Sequence, residues 1–374
     1  MRKNQPKPLF LVCNERQPAA VPRIFSLQRR DDIAEFRRLV KREHLVVRDE
    51  FKDQLWELFL VRHPKLKLNP RKAHVDASAF VAAEEKRMPL WMQGRWVYFP
   101  WKKHLAHVLA PAEFDEARFS RNRNLITQRE QAILQRARVG IAGLSVGSHV
   151  ALCLALSGTG AMRLADHDKL SLSNLNRIRA GIPELGANKA VIAAEQIYEI
   201  HPYAKIALFP HGINKKNLKS FLAGPPKLTV AVDEMDDVAM KIELRLLARQ
   251  FRIPVVSAAD NGDNAIVDIE RFDREPKRPI FHGRVDEETA QETHDVSFEE
   301  HLKRISAMVG MEYVTPRMNE SLSQVGKALY TWPQLAGAAM LSGAAAAYAV
   351  RKIILGDPLR SGKYNVNMER VFSR

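Results

Sequence analysis

Two glycines and an acid, about twenty residues apart, carry the chemistry that stands out first in this sequence. Gly143 and Gly147 bound the tight turn Gly143-Leu-Ser-Val-Gly147, and Asp166 follows the next apolar segment. Glycines let backbone N–H groups approach a phosphate, the start of the following helix favours the anion, and the acid can accept hydrogen bonds from ribose hydroxyls. The spacing therefore predicts a nucleotide-binding site.

Alternating strands and helices must position that turn. The pattern predicts a strand over residues 138–143, a helix over 148–156 and a second strand over 162–165. The expected fold class is α/β, with a doubly wound sheet of the Rossmann type. The turn has two glycines rather than the three of the dinucleotide fingerprint, so it does not by itself establish a redox domain.

A block of polar residues follows at once. It reads Asp166-His-Asp-Lys-Leu-Ser-Leu-Ser-Asn-Leu-Asn-Arg177 and leads to Leu185-Gly-Ala-Asn-Lys189. Together with Arg118-Phe-Ser-Arg121-Asn upstream and Val232-Asp-Glu-Met-Asp236-Asp downstream, this block closely resembles the ThiF and E1-like superfamily of ATP-dependent adenylating enzymes. The resemblance covers residues 118–374 and implies a Rossmann-like sheet of the E1/ThiF adenylation type.

The resemblance implies a role for each matching residue. Asp166 would hold the ribose, Asp236 would bind Mg²⁺ with help from Asp237, and Arg121 would enter the active site of a partner in a two-fold homodimer. The implied catalytic residues are Arg121, Arg177, Lys189 and Asp236. The implied ATP-binding residues are Gly143, Ser145, Gly147, Asp166, Asp168, Asn174, Arg177 and Lys189. From the residues alone, Asp236 could instead cap the helix that begins near Val238.

The chain departs from the family pattern at the turn and in its cysteines. Ala142, Leu144 and Ser145 stand where relatives usually have glycines, and no cysteine follows Cys153. Relatives that form a thioester need a later cysteine, and others bind zinc through Cys-x-x-Cys pairs. We interpret Cys153, which lies among leucines of the first helix, as a buried apolar residue. The sequence therefore predicts adenylation without a thioester on this chain and without zinc.

Three histidines in the C-terminal half are candidates for zinc ligands by residue type. The spacing of His282, His294 and His301 matches no zinc signature, and we interpret them as exposed loop residues.

Positive charge is concentrated in the first third of the chain. The formal net charge is +15 over 374 residues, and residues 1–135 hold 27 basic and 16 acidic side chains. We expect a basic α+β N-terminal domain over 1–117, an adenylation domain over 118–374, and a substrate-covering segment at about 272–333. The N-terminal charge suits a tRNA backbone or simply a solvated face.

Two N-terminal segments have the apolar patterns of helices and strands that form a hydrophobic core. Residues 31–60 have the apolar spacing of helices, and the aromatic segment 94–101 is predicted to be a strand. Its aromatic side chains could stack on bases, or they could form the core of a small domain.

Cysteine content and the length of the apolar segments indicate the cellular compartment. Two cysteines, Cys13 and Cys153, exclude a disulfide framework and favour a reducing environment. The apolar run of residues 9–13 is too short for the core of a signal peptide. The uncharged stretch of residues 335–350 is shorter than the roughly 20 residues that span a bilayer, and a buried helix is predicted there. We expect a cytoplasmic protein with no membrane partner.

The leading hypothesis is adenylation of a carboxylate with ATP and Mg²⁺. The carboxylate would be the C-terminus of a ubiquitin-like or sulfur-carrier protein, a peptide or a small acid. Two alternatives stay open at this point: a tRNA-modifying dehydratase that activates a carboxyl-bearing nucleoside, and a nucleotide-binding scaffold in which the altered turn no longer supports turnover.

Overall fold

The structure is a computed structural model that describes residues 21–285, 287 and 298–373. The strands are β1 (Arg23–Phe25), β2 (Val46–Asp49), β3 (Arg95–Phe99), β4 (His104–Val108), β5 (Arg138–Ala142), β6 (Ala161–Ala165), β7 (Lys205–Phe209), β8 (Val230–Asp233), β9 (Val255–Asn261), β10 (Asn264–Glu270) and β11 (Gly362–Val366). The helices are α1 (Arg30–Arg42), α2 (Phe51–Arg62), α3 (Pro70–Arg87), α4 (Pro111–Arg118), α5 (Gln128–Arg136), α6 (Val146–Leu156), α7 (Lys189–Ile200), α8 (Leu218–Ala223), α9 (Val238–Gln250), α10 (Phe298–Val309), α11 (Pro316–Ser323), α12 (Ala336–Leu355) and α13 (Met368–Phe372).

The C-terminal sheet has the doubly wound order that the sequence predicts. Its strands lie in the order β11-β10-β9-β8-β5-β6-β7, and the five strands from β9 to β7 are parallel. The chain first runs outward from β5 to β7 and then returns to β8 on the other side of β5. Strand order therefore reverses between β5 and β8, which is where open α/β sheets bind their ligands.

Helices cover both faces of this sheet. Helices α6, α7 and α12 pack in one core with the inner strands, and α8 and α9 pack in a second core on the opposite face. Among the described residues, α12 alone is long and apolar enough to span a membrane, but 56% of its most apolar window is buried. It packs against α6 and the strands β9 and β10, which confirms the buried helix predicted there.

The N-terminal unit is built on a small four-stranded sheet of order β1-β3-β4-β2. Residues 31–60 form two helices, but the strand β2 separates them, because Val46–Asp49 pair in parallel with β4. In β3 the side chains of Trp96 and Tyr98 are 7% and 5% exposed. The aromatic strand is therefore core, and its two buried rings cannot stack on bases.

A chain of buried charges links the end of β8 to β10. Arg245 of α9 is 1% exposed, and its guanidinium donates hydrogen bonds to Asp233, to Glu270 at 2.5 Å and to the Ser257 hydroxyl at 3.3 Å. Lys241 also lies 3.3 Å from Asp233. Burial alone would raise the pKa of Asp233, but Lys241 and Arg245 hold it below its usual range. Arg245 thus connects three adjacent strands, through carboxylates on β8 and β10 and a hydroxyl on β9.

The same region corrects the interpretation of His282. Its side chain is 12% exposed and donates from Nε2 to Asp268 at 2.7 Å, while Arg278 donates to Nδ1. Lys363 also pairs with Asp268. Although burial opposes ionisation, His282 and Lys363 lower the pKa of Asp268 to about 2. The exposed-loop prediction is wrong for His282, because the turn at residues 280–283 folds back onto β10. His294 and the side chain of His301 lie outside the description.

Candidate functional site

The candidate site lies at the carboxyl ends of β5, β6 and β8. The glycine turn follows β5, the polar block from Asp166 follows β6, and the loop with Asp236 follows β8. The turn and the β8 loop touch directly: a Cβ atom on Gly143 would lie 2.2 Å from the carbonyl oxygen of Glu234. The sheet therefore brings two distant parts of the sequence to the point of strand reversal.

The backbone of the turn stays accessible although the turn has only two glycines. Gly143 has φ +86°, a conformation that a side chain disfavours. Leu144 is fully buried and belongs to the main core, so its side chain does not occupy the space above the turn. Helix α6 begins at Val146, and Ser145 before it makes no capping hydrogen bond with its side chain. The first N–H groups of α6 can therefore face a bound phosphate.

Asp166 shapes this turn from β6. Its carboxylate accepts hydrogen bonds from the backbone N–H of Leu144 at 2.7 Å and of Asp168 at 2.8 Å. The residue is 7% exposed, and burial raises its pKa above the ordinary value. The structure thus places Asp166 against the turn, at the strand end from which the sequence predicts a ribose contact.

Lys189 lies beside Asp168. Its ammonium group is 2.9 Å from a carboxylate oxygen of Asp168, and its side chain is 10% exposed. Asn188 caps α7 by accepting from two backbone N–H groups and donates from its amide to the carbonyl of Asp166. Burial would raise the pKa of Asp168, but Lys189 lowers it overall. The two predicted ATP ligands are therefore paired with each other.

Arg177 reaches back to the glycine turn. Its Nε donates to the hydroxyl of Ser145 at 3.2 Å, and its Nη1 donates to Asn176 at 2.9 Å. Burial lowers its pKa, whereas the charges of Asp260 and Asp236 raise it. Arg177 therefore contacts the turn after β5, which itself lies against the loop after β8 at Glu234.

Asn174 has a local role that the sequence did not suggest. It is 8% exposed, and its side-chain oxygen accepts from the backbone N–H of Ser171 at 3.1 Å, which closes the turn that carries Arg177. In this structure Asn174 supports the position of Arg177.

The two aspartates of the β8 loop differ. Asp237 is the N-cap of α9 and accepts from the backbone N–H of Met240 at 3.0 Å, whereas Asp236 is exposed and makes no salt bridge within the described residues. The capping role considered for Asp236 therefore belongs to its neighbour. An exposed carboxylate beside a phosphate site fits Mg²⁺, which usually binds one or two carboxylates and keeps several waters.

Two further acids lie near the carboxyl ends of β8 and β9 and carry no sequence motif. Asp260 is the penultimate residue of β9. It accepts from Ser342 at 2.9 Å and from Gln334 at 3.1 Å, and burial raises its pKa. Glu234 accepts from the backbone N–H of Ala258 at 2.9 Å, and burial raises its pKa well above the usual range. The available signal was position alone, since both residues lie at or just beyond the carboxyl end of a parallel strand.

The structure does not bring Arg121 to the other site residues. It is exposed in the short turn Ser120–Asn122 and contacts none of them within the described part of the chain. Cys153 is half-buried in α6, and its burial raises its pKa, which disfavours the reactive thiolate. Cys13 lies outside the described residues.

One group of potential metal ligands occurs among the described residues. Oxygen and nitrogen atoms of Asp166, His167 and Asp168 lie within 4.8 Å of one another. Asp236 is not part of that group. Because Asp166 and Asp168 already bind backbone N–H groups and Lys189, this arrangement does not replace Asp236 as the predicted Mg²⁺ ligand.

Comparison with known protein families identifies the family of this chain. The model of the ThiF family matches residues 119–367. The chain belongs to the ThiF family. It is 36% identical over 338 residues to an uncharacterized protein of Mycobacterium tuberculosis, covering 88% of this chain and 46% of that protein. The match confirms the predicted superfamily and α/β fold class.

Two further ThiF-family relatives have named activities. The tRNA threonylcarbamoyladenosine dehydratase of Escherichia coli is 32% identical over 125 residues, covering 33% of this chain and 45% of that protein. The molybdopterin-synthase adenylyltransferase of Haemophilus influenzae is 28% identical over 149 residues, covering 38% and 56%. The chain thus spans about half the length of the curated relatives it matches. A crystal structure of the Escherichia coli dehydratase is 20% identical, covers 64% of this chain and 94% of that chain, and has a TM-score of 0.46.

Proposed function

We propose that this ThiF-family protein is an ATP- and Mg²⁺-dependent enzyme that adenylates a carboxylate. The observation that carries the proposal is that Arg177 bonds to Ser145 of the glycine turn, while the same turn lies against the loop after β8 at Glu234, at the reversal of strand order. An open helix start, a half-buried guanidinium and an exposed carboxylate are the groups that a triphosphate and its metal need.

The reaction joins a carboxylate oxygen to the α-phosphorus of ATP. The bond from that phosphorus to the bridging oxygen of pyrophosphate breaks, and pyrophosphate leaves with the electron pair. Charge builds on the phosphoryl oxygens and on the leaving group, so fixed cations and N–H donors accelerate the step. The first N–H groups of α6 and the guanidinium of Arg177 would bind these oxygens. Bound Mg²⁺ would neutralise charge on the phosphates, with Asp236 as its protein ligand.

Lys189 needs a change of partner to take part. In this structure its ammonium group is paired with Asp168 at 2.9 Å. A triphosphate carries more negative charge than one carboxylate, so ATP would draw Lys189 away from Asp168 while Asp166 and Asp168 face the ribose. We therefore expect the ion pair to act as a resting position that ATP opens.

The substrate would be the C-terminus of a ubiquitin-like or sulfur-carrier protein, a peptide or a small acid. The acyl-adenylate would pass directly to an external nucleophile, because the described part of the chain holds Cys153 alone, in a helix with an unreactive thiol. Arg121 is exposed and free of salt bridges in the described residues, which suits insertion into the site of a second copy. The proposed unit is a cytoplasmic homodimer.

A related activity and a non-enzymatic role are the alternatives. A tRNA-modifying enzyme of the dehydratase type would use the same adenylation step on a nucleoside carboxyl group. A scaffold would bind ATP without releasing pyrophosphate. The buried Leu144 argues against the scaffold, because the residue that departs most from the family pattern does not fill the phosphate site.

The test is exchange of labelled pyrophosphate into ATP with a panel of carboxylates: small proteins ending in Gly-Gly, peptides, small acids and carboxyl-modified tRNA. We expect exchange with one class, lost in Lys189→Ala and in Asp236→Ala. Asp237→Asn, which keeps a capping side chain, is the matched control and should retain exchange. ATP binding by calorimetry without exchange on any substrate would favour the scaffold, and no ATP binding would refute the proposal.

The homodimer has its own test. Arg121→Ala and Lys189→Ala proteins should each be inactive, and mixing them should restore about a quarter of the wild-type rate, since half of random dimers then hold one intact site. If the mixture stays inactive while subunits exchange, Arg121 does not act across a dimer.

A further inference from the structure

Helix α1 presents a strongly basic face to solvent. On an α-helix Arg30, Arg37 and Lys41 fall along one line, and Arg38 and Arg42 lie beside it. All five residues are exposed. From the first to the last they extend over roughly 18 Å of helix. We call these five residues the basic face.

Three acidic residues of α1 offset part of the basic charge, but none pairs with the basic face within the described residues: Asp31 is exposed and forms no salt bridge there. Glu35 pairs with Arg23 at 3.4 Å, and Asp32 accepts from the backbone N–H of Ser26 at 2.8 Å. Within the described residues, none of the five basic side chains forms a salt bridge. The opposite side of α1 is apolar and packs on the N-terminal core through Ile33, Phe36 and Leu39. The helix is thus anchored by one side and carries positive charge on the other, with no salt bridge to it from the part of the chain that the structure describes.

An exposed aromatic residue lies next to α1. Trp91 lies in the short turn between α3 and β3 and is 55% exposed. Its carbonyl accepts from the indole of Trp96 at 2.9 Å, and Trp96 packs on Phe36 of α1 with ring centroids 5.6 Å apart. Gln28, just before the helix, contacts the carbonyl of Met92 at 3.4 Å. These contacts place the backbone of Trp91 and Met92 near Gln28, just before the start of α1.

We propose that the basic face and Trp91 form a docking surface for a single-stranded nucleic acid. Lysine and arginine side chains bind the phosphates and release counterions, while an exposed indole offers a stacking platform for an unpaired base. The surface lies outside residues 119–367, which the ThiF family model matches. Binding at this surface is therefore separate from the adenylation proposed above. The surface would bind nucleic acid whether or not nucleic acid is the substrate of the enzyme.

Two other partners fit these observations less well. A membrane surface would favour large apolar side chains between the cations, but the exposed apolar residues of α1 are the small Ala34 and Val40. An acidic protein tail would use the cations and leave Trp91 without a role. Nucleic acid is the partner that uses both charge and aromatic surface.

The test is fluorescence anisotropy with labelled oligonucleotides of about 20 nucleotides: single-stranded RNA, single-stranded DNA and duplex DNA. The variant replaces Arg37, Arg38 and Lys41 by glutamine. The charge-matched control replaces three exposed lysines of the C-terminal sheet region by glutamine: Lys205, Lys216 and Lys219. Circular dichroism and thermal unfolding check that each variant is folded.

We expect wild type to bind a single strand with an affinity that falls as salt rises. The Arg37, Arg38 and Lys41 variant should bind at least tenfold more weakly and lower the slope of log affinity against log salt by about 2, because each lost phosphate contact contributes about 0.7. The control should bind like wild type. Trp91→Ala should weaken single-strand binding about tenfold and duplex binding much less, and Trp91→Phe should restore it.

Several results would overturn the proposal. They are no measurable binding at low salt, equal losses in the variant and its control, no effect of Trp91→Ala, or equal binding of polyglutamate. Phosphatidylserine vesicles that bind more tightly than any oligonucleotide would assign the surface to a membrane instead. The tighter binding of single-stranded RNA or of single-stranded DNA shows which of the two nucleic acids the surface prefers. Lys189→Ala should bind nucleic acid normally, which separates failure of this proposal from failure of the proposed adenylation.

Discussion

Removal of Arg245 should destabilise the protein strongly. This buried guanidinium pairs with Asp233 at the end of β8 and with Glu270 of β10. In Arg245→Met, a side chain of similar length keeps the packing on Phe281 but leaves two buried carboxylates. Asp233 retains Lys241 at 3.3 Å, whereas Glu270 retains the backbone N–H of Phe281 at 2.7 Å and no paired cation.

The magnitude follows from the charge that is left behind. Breaking a buried ion pair from one side costs about 3–5 kcal/mol, because the remaining charge is buried without compensation. Two carboxylates are affected here, so we expect the upper part of that range. Part of the cost should disappear in acid: without Arg245 the pKa of Glu270 rises, the folded state binds the extra proton, and stability of the variant relative to wild type recovers as the pH falls from 7 to 5.

The assay is urea unfolding of wild type, Arg245→Met, Glu270→Gln and the double variant at pH 7 and pH 5. The double variant should recover part of the loss, since the unpaired charge at Glu270 is then absent. Lys215→Met is the control, because Lys215 forms an exposed pair with Glu243 at 3.2 Å, which is worth at most about 1 kcal/mol. A loss in Arg245→Met as small as in this control, or no coupling between Arg245 and Glu270, would refute the reasoning.

Three more predictions follow from single contacts. Burial and the charge of Arg118 lower the pKa of His201 to about 4, so on acidification the unfolded state binds a proton before the folded state does. Through this group the free energy of unfolding should fall by about 2 kcal/mol from pH 7 to pH 5. His201→Gln should remove that loss when stability is measured by urea unfolding at each pH, and an unchanged pH profile would contradict this prediction. Gly143→Ala should lower the melting temperature and ATP affinity, because the new Cβ would lie 2.2 Å from the Glu234 carbonyl; calorimetry with wild-type affinity would show that the loops separate easily. Asp237→Ala should cost about 1 kcal/mol of stability through loss of the α9 cap while Asp236→Ala costs little, and equal losses on urea unfolding would refute this division of roles.

Much of the nucleotide-binding half was predictable because its signals are local. The glycine turn, the apolar strands around it and the polar block from Asp166 to Arg177 each have a spacing that one supersecondary unit requires. Helix α6 begins two residues earlier than predicted, at Val146, and β6 begins one residue earlier, at Ala161. These differences are at element ends, where sequence signals are weakest.

Contacts between distant elements were not predictable. The sequence treats Leu144 as a departure in a phosphate-binding turn, but only the packed core shows that its side chain faces inward. Likewise, the residues next to Arg245 in the sequence do not indicate that it pairs with Glu270. Those next to His282 do not indicate that it pairs with Asp268. The break between α1 and α2 also depends on a partner strand, because Val46–Asp49 are ordered by pairing with β4.

Transfer of the adenylyl group to a carboxylate can be followed by oxygen labelling. A substrate that supports pyrophosphate exchange is labelled with ¹⁸O in its carboxyl group and converted with ATP, Mg²⁺ and an excess of hydroxylamine as acceptor. Mass spectrometry of the nucleotide product should find AMP that carries one heavy oxygen from the carboxylate, together with pyrophosphate. Formation of ADP and phosphate, or of AMP without the label, would contradict the account.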